Sequence, residues 1–363
     1  VVGSGPVGLA LAAGLAERQP RLRCLSRAPD ARWIPNYGGW ARDLDALTLR
    51  PVELHRYDRP QVRFVSGAVR ELDEPYLTLN KHETRASWMS LAPTFEAGEA
   101  DAEAGLVLAA TGLSADQGTG RVAPGVQTAF GVEIEVDDDF ALEPMRLMDW
   151  SAAFDDGGPP SFLYTLPTGP RTVFVEETVL VARPAFDIDR LEARLWQRLG
   201  RMGVRVVRRL PGTEERCWIP MGGPLPRPGG RVVPVGSAAG WVHPASGYLL
   251  GHALRWTGEL AAWLSDRETV TADEAWEQIW PGPRRRAWRL YRFGMEFLLT
   301  LDQAGISEFF ERFFSLPPGR TERYLSATAS DAEVARTMGE FFIASPWRLR
   351  ARLAAAGIDE LLG

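Results

Sequence analysis

The sequence predicts an α/β (α+β) protein: a Rossmann-like dinucleotide-binding domain built from two separated segments, an antiparallel sheet domain inserted between them, and a helical C-terminal region. Three observations carry this. The strand end Val1-Val2 runs into Gly3-Ser4-Gly5-Pro6-Val7-Gly8 and at once into the helix-forming stretch Leu9 to Glu17, the start of a βαβ unit. Far along the chain, Arg231-Val232-Val233-Pro234-Val235-Gly236 is another strand entering a small-residue turn. From about 125 to 185, aromatic and β-branched residues punctuated by Pro and Gly read as antiparallel strands. The expected layout is 1–112 with 213–265 as the nucleotide domain, 113–212 as the inserted substrate sheet, and 266–363 as a helical cap.

The elements follow in order. Leu22 to Leu25 is a second parallel strand, 61–80 alternates as short strands do, and Ala104 to Ala110 is a buried strand ending at Thr111-Gly112. Ser161–Pro167 and Thr172–Thr178 are strands of the inserted sheet, and 187–203 returns to helix. Beyond about 250 the chain is helical, with aromatic clusters at Phe309-Phe310 and Phe313-Phe314. There are no internal repeats and no low-complexity linker.

Composition narrows the function. With 363 residues, 45% hydrophobic and 24% charged, the chain can bury a substantial core. A net charge of −6 excludes a nucleic-acid binder, which needs a basic surface. Two distant cysteines, Cys24 and Cys217, form neither a disulfide framework nor a metal-ligand spacing, so a reducing cytoplasm and no metal are expected. No apolar run reaches the roughly 20 residues that span a bilayer. The chain opens inside its first strand without a methionine, so residues ahead of Val1 are expected to be missing from it.

Gly3-x-Gly5-x-x-Gly8, with Ala12 beyond, is a dinucleotide fingerprint. Its glycines and Pro6 shape a tight turn, let the backbone approach a pyrophosphate, and aim the helix N-terminus at it. The acid expected at the end of the second strand to hold the ribose is replaced by Ser26, followed by Arg27. That pair suits a 2′-phosphate, so this segment alone divides between FAD and NADP. The second glycine-rich segment, Gly236 to Tyr248, favours FAD: it follows a strand and is expected to open a helix whose N-terminus approaches a flavin ring. Ser237 stands where such segments carry an acid and can hydrogen-bond a ribityl chain. Gly247 belongs to the same turn, and His243 either lines the site or is held by turn backbone.

The sequence then resembles the flavin-dependent lycopene cyclases through ordered segments. Pro35-Asn36-Tyr37-Gly38-Gly39-Trp40 is similar to the family's P-N-x-Y-G-x-W, one residue shorter, and Gln127-Thr128-Ala129-Phe130-Gly131 to Q-T-A-[YF]-G. Met148-Asp149-Trp150 matches M-D-[WY], and Phe174-Val175-Glu176-Glu177-Thr178 matches F-L-E-E-T with Val for Leu. Arg216 to Pro226 and Ala238 to Tyr248 complete the set, while the Phe309–Pro317 region is a looser match. Two departures are Ser26 for the family's acid and Ser151 for the basic residue that follows M-D-W. The resemblance implies an FAD-binding domain of the aromatic hydroxylase/geranylgeranyl reductase type. It also implies acid-catalysed cyclisation of lycopene ends to γ- or β-carotene, using reduced FAD without net redox change, with NADPH as a candidate reductant.

Protonating an unactivated alkene needs a strong acid shielded from water. A carboxylic acid kept protonated by burial fits. Adjacent strand residues face opposite ways, so only one of Glu176 and Glu177 points into a given pocket. The resemblance assigns the acid to Glu176 and leaves Glu177 a supporting group, against the bland reading of two solvated carboxylates on an edge strand. Asp149 is the second candidate acid, to stabilise a cation or orient water, or else a turn cap. Trp40, Tyr164, Trp218, Trp241 and Tyr248 are candidates for cation–π contact, against plain core packing. Since lycopene lives in membranes, the basic and aromatic run Arg284 to Leu299 is read either as an interfacial helix, giving peripheral attachment in the cytoplasm, or as a packed cap helix. Two other readings stay open: an FAD/NADPH oxidoreductase (hydroxylase or reductase) acting on a carotenoid or isoprenoid, and a non-catalytic flavin- or isoprenoid-binding protein.

Overall fold

The computed structural model describes residues 1–19, 21–99, 104–112, 124–137 and 139–362, with side chains as far as 354. The glycine fingerprint sets the first layer. Val2 bridges in parallel to both Leu25 and Ala109, Cys24–Ser26 pairs with Phe95–Ala97, and Val232–Pro234 pairs with Val107–Ala109. The result is a parallel nucleotide sheet drawing on both segments, in line with the Rossmann-like expectation. Helix Pro6–Leu15 buries Leu9, Leu11, Ala12 and Leu15. Its Gly14 faces Ala261 so closely that an added Cβ would lie 3.1 Å away, which lets helix Leu250–Ser265 pack tightly on it.

The second layer is an eight-stranded, largely antiparallel sheet in the order Val206–Arg209, Gly125–Val136, Thr172–Ala182, Phe162–Gly169, Arg146–Asp149, Gln61–Arg63, Val69–Glu71, with Glu215–Met221 also paired to Gly125–Val136. The strands Gln61–Arg63, Val69–Glu71 and Glu215–Met221 come from the two segments read as nucleotide domain, so both send strands into the large sheet. Alternation gives that sheet two apolar faces. One packs Phe130, Val132, Val173 and Val175 against Leu191, Leu195 and Leu199 of helix Ile188–Arg201. The other faces a core shared with the C-terminal helices.

One local expectation is corrected. The segment after Gly236 is a single 3-10 turn, Gly236–Ala239, closed by Gly240 at φ 78°, and the long helix begins only at Leu250. The run Arg284 to Leu299 lies in helix Gly282–Leu299, whose Trp288, Tyr291, Met295, Phe297 and Leu298 are buried. Three of its arginines pair with carboxylates: Arg284 with Glu259 at 2.9 Å, Arg285 with Glu277 at 2.9 Å, and Arg286 with Asp331 at 2.7 Å. This packing is what the cap reading expects. Among the described residues, no helix is long and apolar enough to cross a membrane.

Candidate active site

Strand Thr172–Ala182 sorts its two glutamates by alternation. Glu177 points to the helix-covered face, fully buried, where Arg198 clasps it with Nε and Nη2 at 2.8 Å each. Glu176 points the other way, with Phe174, Thr178 and Leu180, into a cavity of about 570 Å³. Leu147, Met148, Phe162 and Val242 make much of its lining apolar.

Pairing across the sheet aligns side chains in rows on this face. Tyr164, Glu176, Gly131 and Glu215 form one row over four strands, and Phe162, Thr178, Ala129 and Cys217 the next. Carboxylate oxygens of Glu176 and Glu215 and the Cys217 sulfur lie within 4.8 Å of one another. Burial, reinforced by the charge of Glu215, pushes the Glu176 carboxyl up to about 8, and the Thr178 hydroxyl opposes this by donating to Oε1 at 2.8 Å. Burial likewise raises Glu215 to about 7, against the Asn36 backbone N–H, which donates to Oε1 at 2.8 Å, and the attraction of Lys81. Tyr76, Tyr164 and Tyr248 cluster beside the acids, with Tyr76 6.5 Å and 6.4 Å from the other two rings. Burial raises all three phenols, which therefore stay neutral.

The other sequence candidates fall into two groups. The nucleotide residues converge. Gly3 sits at φ 106°, where an added Cβ would lie 2.2 Å from the Ala110 carbonyl oxygen, and one at Gly8 would lie 1.9 Å from the Gly3 oxygen. Gly5 caps the helix ahead of Pro6 without a side-chain cap, and the space beside it is open. The helix thus offers backbone N–H groups over a cradle that a phosphate fits. Ser26 is buried, with its hydroxyl 2.9 Å from that of Ser4, while Arg27 turns out to Glu99 at 2.9 Å. Gly236 presses on Val7, joining the two glycine turns, and Ser237 and Gly247 line the Glu176 cavity. A Cβ at Gly247 would lie 2.3 Å from Gln127 Oε1. The cradle and the acids are therefore linked through one turn.

The second group lies off the cavity. Asp149 is fully buried, while its neighbours Leu147 and Met148 line the cavity wall. Arg146 Nη1 stands 3.1 Å from its Oδ2, and Ser151 donates to Oδ1 through its hydroxyl at 2.6 Å and its N–H at 2.9 Å. Arg146 supplies from strand Arg146–Asp149 the positive charge that Ser151 lacks, and burial lowers its own guanidinium to about 10. His243 is a turn histidine: its Nδ1 accepts from the Ala245 and Ser246 N–H groups at 3.1 Å, and burial holds it well below its usual value. Of the five aromatic candidates, Tyr164, Trp218 and Tyr248 line the cavity. Trp40 backs Tyr76 edge-on at 5.5 Å, and Trp241 packs on Trp256 in the nucleotide core.

A family model described as lycopene cyclase protein matches residues 1–90 and 91–351. The chain belongs to the lycopene cyclase family. A lycopene beta cyclase of Arabidopsis thaliana is 32% identical, covering 90% of this chain and 74% of that protein. A capsanthin/capsorubin synthase of Capsicum annuum is 29% identical over 92% of this chain and 75% of that one. Among solved structures, a geranylgeranyl bacteriochlorophyll reductase-like protein from Thermoplasma acidophilum aligns with a TM-score of 0.64 at 13% identity, covering 98% of both chains. A Klebsiella pneumoniae HpxO complexed with FAD and uric acid aligns with a TM-score of 0.55 at 16% identity, covering 92% of this chain and 96% of that one. At such identities the likeness is one of fold.

Within this lycopene cyclase family site, the sequence reading passes over Glu215, Cys217 and Tyr76. Glu215 directly precedes the Arg216–Pro226 segment, so its only sequence signal is adjacency to a family motif. Tyr76 stands in an alternating stretch that marks it as a strand residue and nothing more.

Proposed function

We propose that this chain is a lycopene β-cyclase in which the Glu176 carboxyl protonates the polyene end. The reading is carried by one observation: a half-buried glutamate, its carboxyl raised to about 8, faces a mainly apolar cavity beside the second glycine turn. At neutral pH such an acid keeps its proton, as delivery to an alkene requires. Proton transfer from Glu176 to the CH carbon of the terminal alkene leaves a tertiary carbocation on its dimethyl carbon. Attack by the nearby internal double bond closes the ring, and loss of a ring proton restores neutrality, so no electrons are gained or lost. The apolar walls exclude water that would trap the cation. The neutral faces of Tyr76, Tyr164 and Tyr248 are placed to stabilise it. Glu177, clasped by Arg198, and Asp149, held by Arg146, are supports of the sheet.

FAD fits the cradle at Gly3, Gly5 and Gly8: the N–H groups behind Pro6 suit its pyrophosphate, the Ser4–Ser26 hydroxyl pair its ribose, and Ser237 and Gly247 its flavin end. In its reduced form, with NADPH as the expected reductant, it would supply negative charge near the developing cation. Arg27, engaged with Glu99, favours FAD over a nicotinamide 2′-phosphate at this cradle. Peripheral membrane contact is assigned to Phe342, Ile343 and Trp347, which are 40%, 75% and 70% exposed beside the exposed Arg348 and Arg350.

The β-ring assignment follows the named relatives, which also include neoxanthin synthases. The test is expression in cells that accumulate lycopene, with chromatography of the pigments beside a Glu176→Gln variant. Ring-bearing product from the parent and lycopene from a folded, flavin-loaded variant are expected. Unchanged lycopene from a flavin-loaded parent overturns the proposal.

A further inference from the structure

We infer that Glu215 is a positioning residue for this reaction: brought against Glu176 over the side-chain-less Gly131, its carboxyl keeps the proton of the pair on Glu176 until the polyene takes it. The inference rests on the reading of Glu176 as the donor and adds to it a partner that no family motif quoted above contains.

The geometry begins with one glycine. Gly131 is the direct cross-strand neighbour of Glu176 on one side and of Glu215 on the other. Directly opposed residues of an antiparallel pair project from the same face, so both acids rise on either flank of Gly131. Their backbones are two strand spacings apart, roughly 9–10 Å. Only an empty position between them lets the side chains lean together. A Cβ on Gly131 would sit 3.2 Å from the Glu176 Cβ and 2.4 Å from the Phe174 ring. Carboxylate oxygens of the two acids come within 4.8 Å.

Two carboxyls that close in a low-dielectric cavity do not both ionise readily. The surroundings decide which one holds the charge. Glu215 accepts the Asn36 N–H at 2.8 Å and feels the Lys81 ammonium, both of which favour its carboxylate. Among the described residues, Glu176 has only the Thr178 hydroxyl as hydrogen-bond partner, and faces Tyr76, Tyr164 and Cys217, whose own ionisation burial disfavours. Tyr37, beside Glu215, is likewise pushed up, to about 12. The pair therefore rests with one proton, on Glu176. When the O–H bond of Glu176 breaks and a C–H bond forms on the polyene, the pair becomes doubly negative. That charge stabilises the cation and draws back the proton released as the ring double bond forms. The pair begins and ends each turnover with one proton.

The experiment is the pH profile of lycopene cyclisation by the full chain, flavin-loaded, on lycopene in liposomes, for the parent, Glu215→Gln, Glu215→Asp and Glu176→Gln. Removing the negative neighbour of Glu176 lowers the pH at which it loses its proton. Glu215→Gln is expected to move the alkaline limb down by about one pH unit, a roughly tenfold loss of rate beyond the limb. Glu215→Asp restores part of the shift. An infrared titration of the protonated carboxyl band, which needs no turnover, should move in the same direction. A uniform loss of rate with the limb and the band in place makes Glu215 merely structural and overturns the inference. If Glu176→Gln still cyclises lycopene, the donor assignment fails instead. Should Glu215→Gln not fold, Glu215→Asp and its infrared band decide the matter by the same criterion.

Discussion

Glu176→Gln should make the protein more stable, by an amount that grows with pH. The folded carboxyl sits at about 8 against 4.5 for a free one. A folded value above the unfolded one contributes stability that is present below about pH 4.5 and is lost as pH rises through about 8. Each unit of that interval is worth about 1.4 kcal/mol. Near pH 5 the loss is under about 1 kcal/mol, near pH 7 about 3, and near pH 8 and above it approaches about 5 kcal/mol. Glutamine has the same shape, can still accept the Thr178 hydroxyl, and has no proton to lose, so it escapes this term. Equilibrium urea denaturation of parent and variant at both ends of the interval measures the gap. Near-equal midpoints at pH 5 and a variant more stable by several kcal/mol at pH 8 are expected. A gap of the same size at both pH values, or a variant less stable at pH 8, would refute the claim that burial of this carboxyl opposes its ionisation.

Arg198→Met leaves Glu177 buried without its clasp, and should cost about 3–5 kcal/mol in the same denaturation assay. A loss below about 1 kcal/mol would mean that Glu177 reaches water. Gly8→Ala puts a Cβ 1.9 Å from the Gly3 carbonyl oxygen and should abolish flavin retention, read as absorbance of the purified protein; undiminished flavin would show that the turn tolerates the shift. Replacing Phe342, Ile343 and Trp347 together by Ser should reduce co-sedimentation with anionic vesicles by at least about tenfold, since each removes exposed apolar area. Unaltered sedimentation moves the membrane contact to another face.

What the sequence discloses follows local rules, and what it conceals depends on neighbours distant along the chain. The opposition of Glu176 and Glu177 is a period-two fact of one strand and needs no partner to be read. The Gly3, Gly5 and Gly8 spacing is legible because a turn must satisfy it within six residues. Asp149 is visible as an acid, but Arg63, whose Nε stands 3.8 Å from its Oδ2, arrives from a strand far earlier in the chain. Glu215 meets Glu176 through a third strand, and no local pattern announces a meeting across Gly131. The Arg284 to Leu299 run has one composition for two roles. The inward packing of Tyr291, Met295 and Phe297, and the pairing of Arg284, Arg285 and Arg286 with Glu259, Glu277 and Asp331, come into view only with the fold.

The large sheet has a mechanical consequence. Because Glu215–Met221 and Thr172–Ala182 are both laced by backbone hydrogen bonds to Gly125–Val136, the strands that carry Glu215 and Glu176 are parts of one plate. A hinge between them would have to tear a β-ladder. A polyene end therefore meets the two acids at a spacing set by the ladders on either side of Gly131.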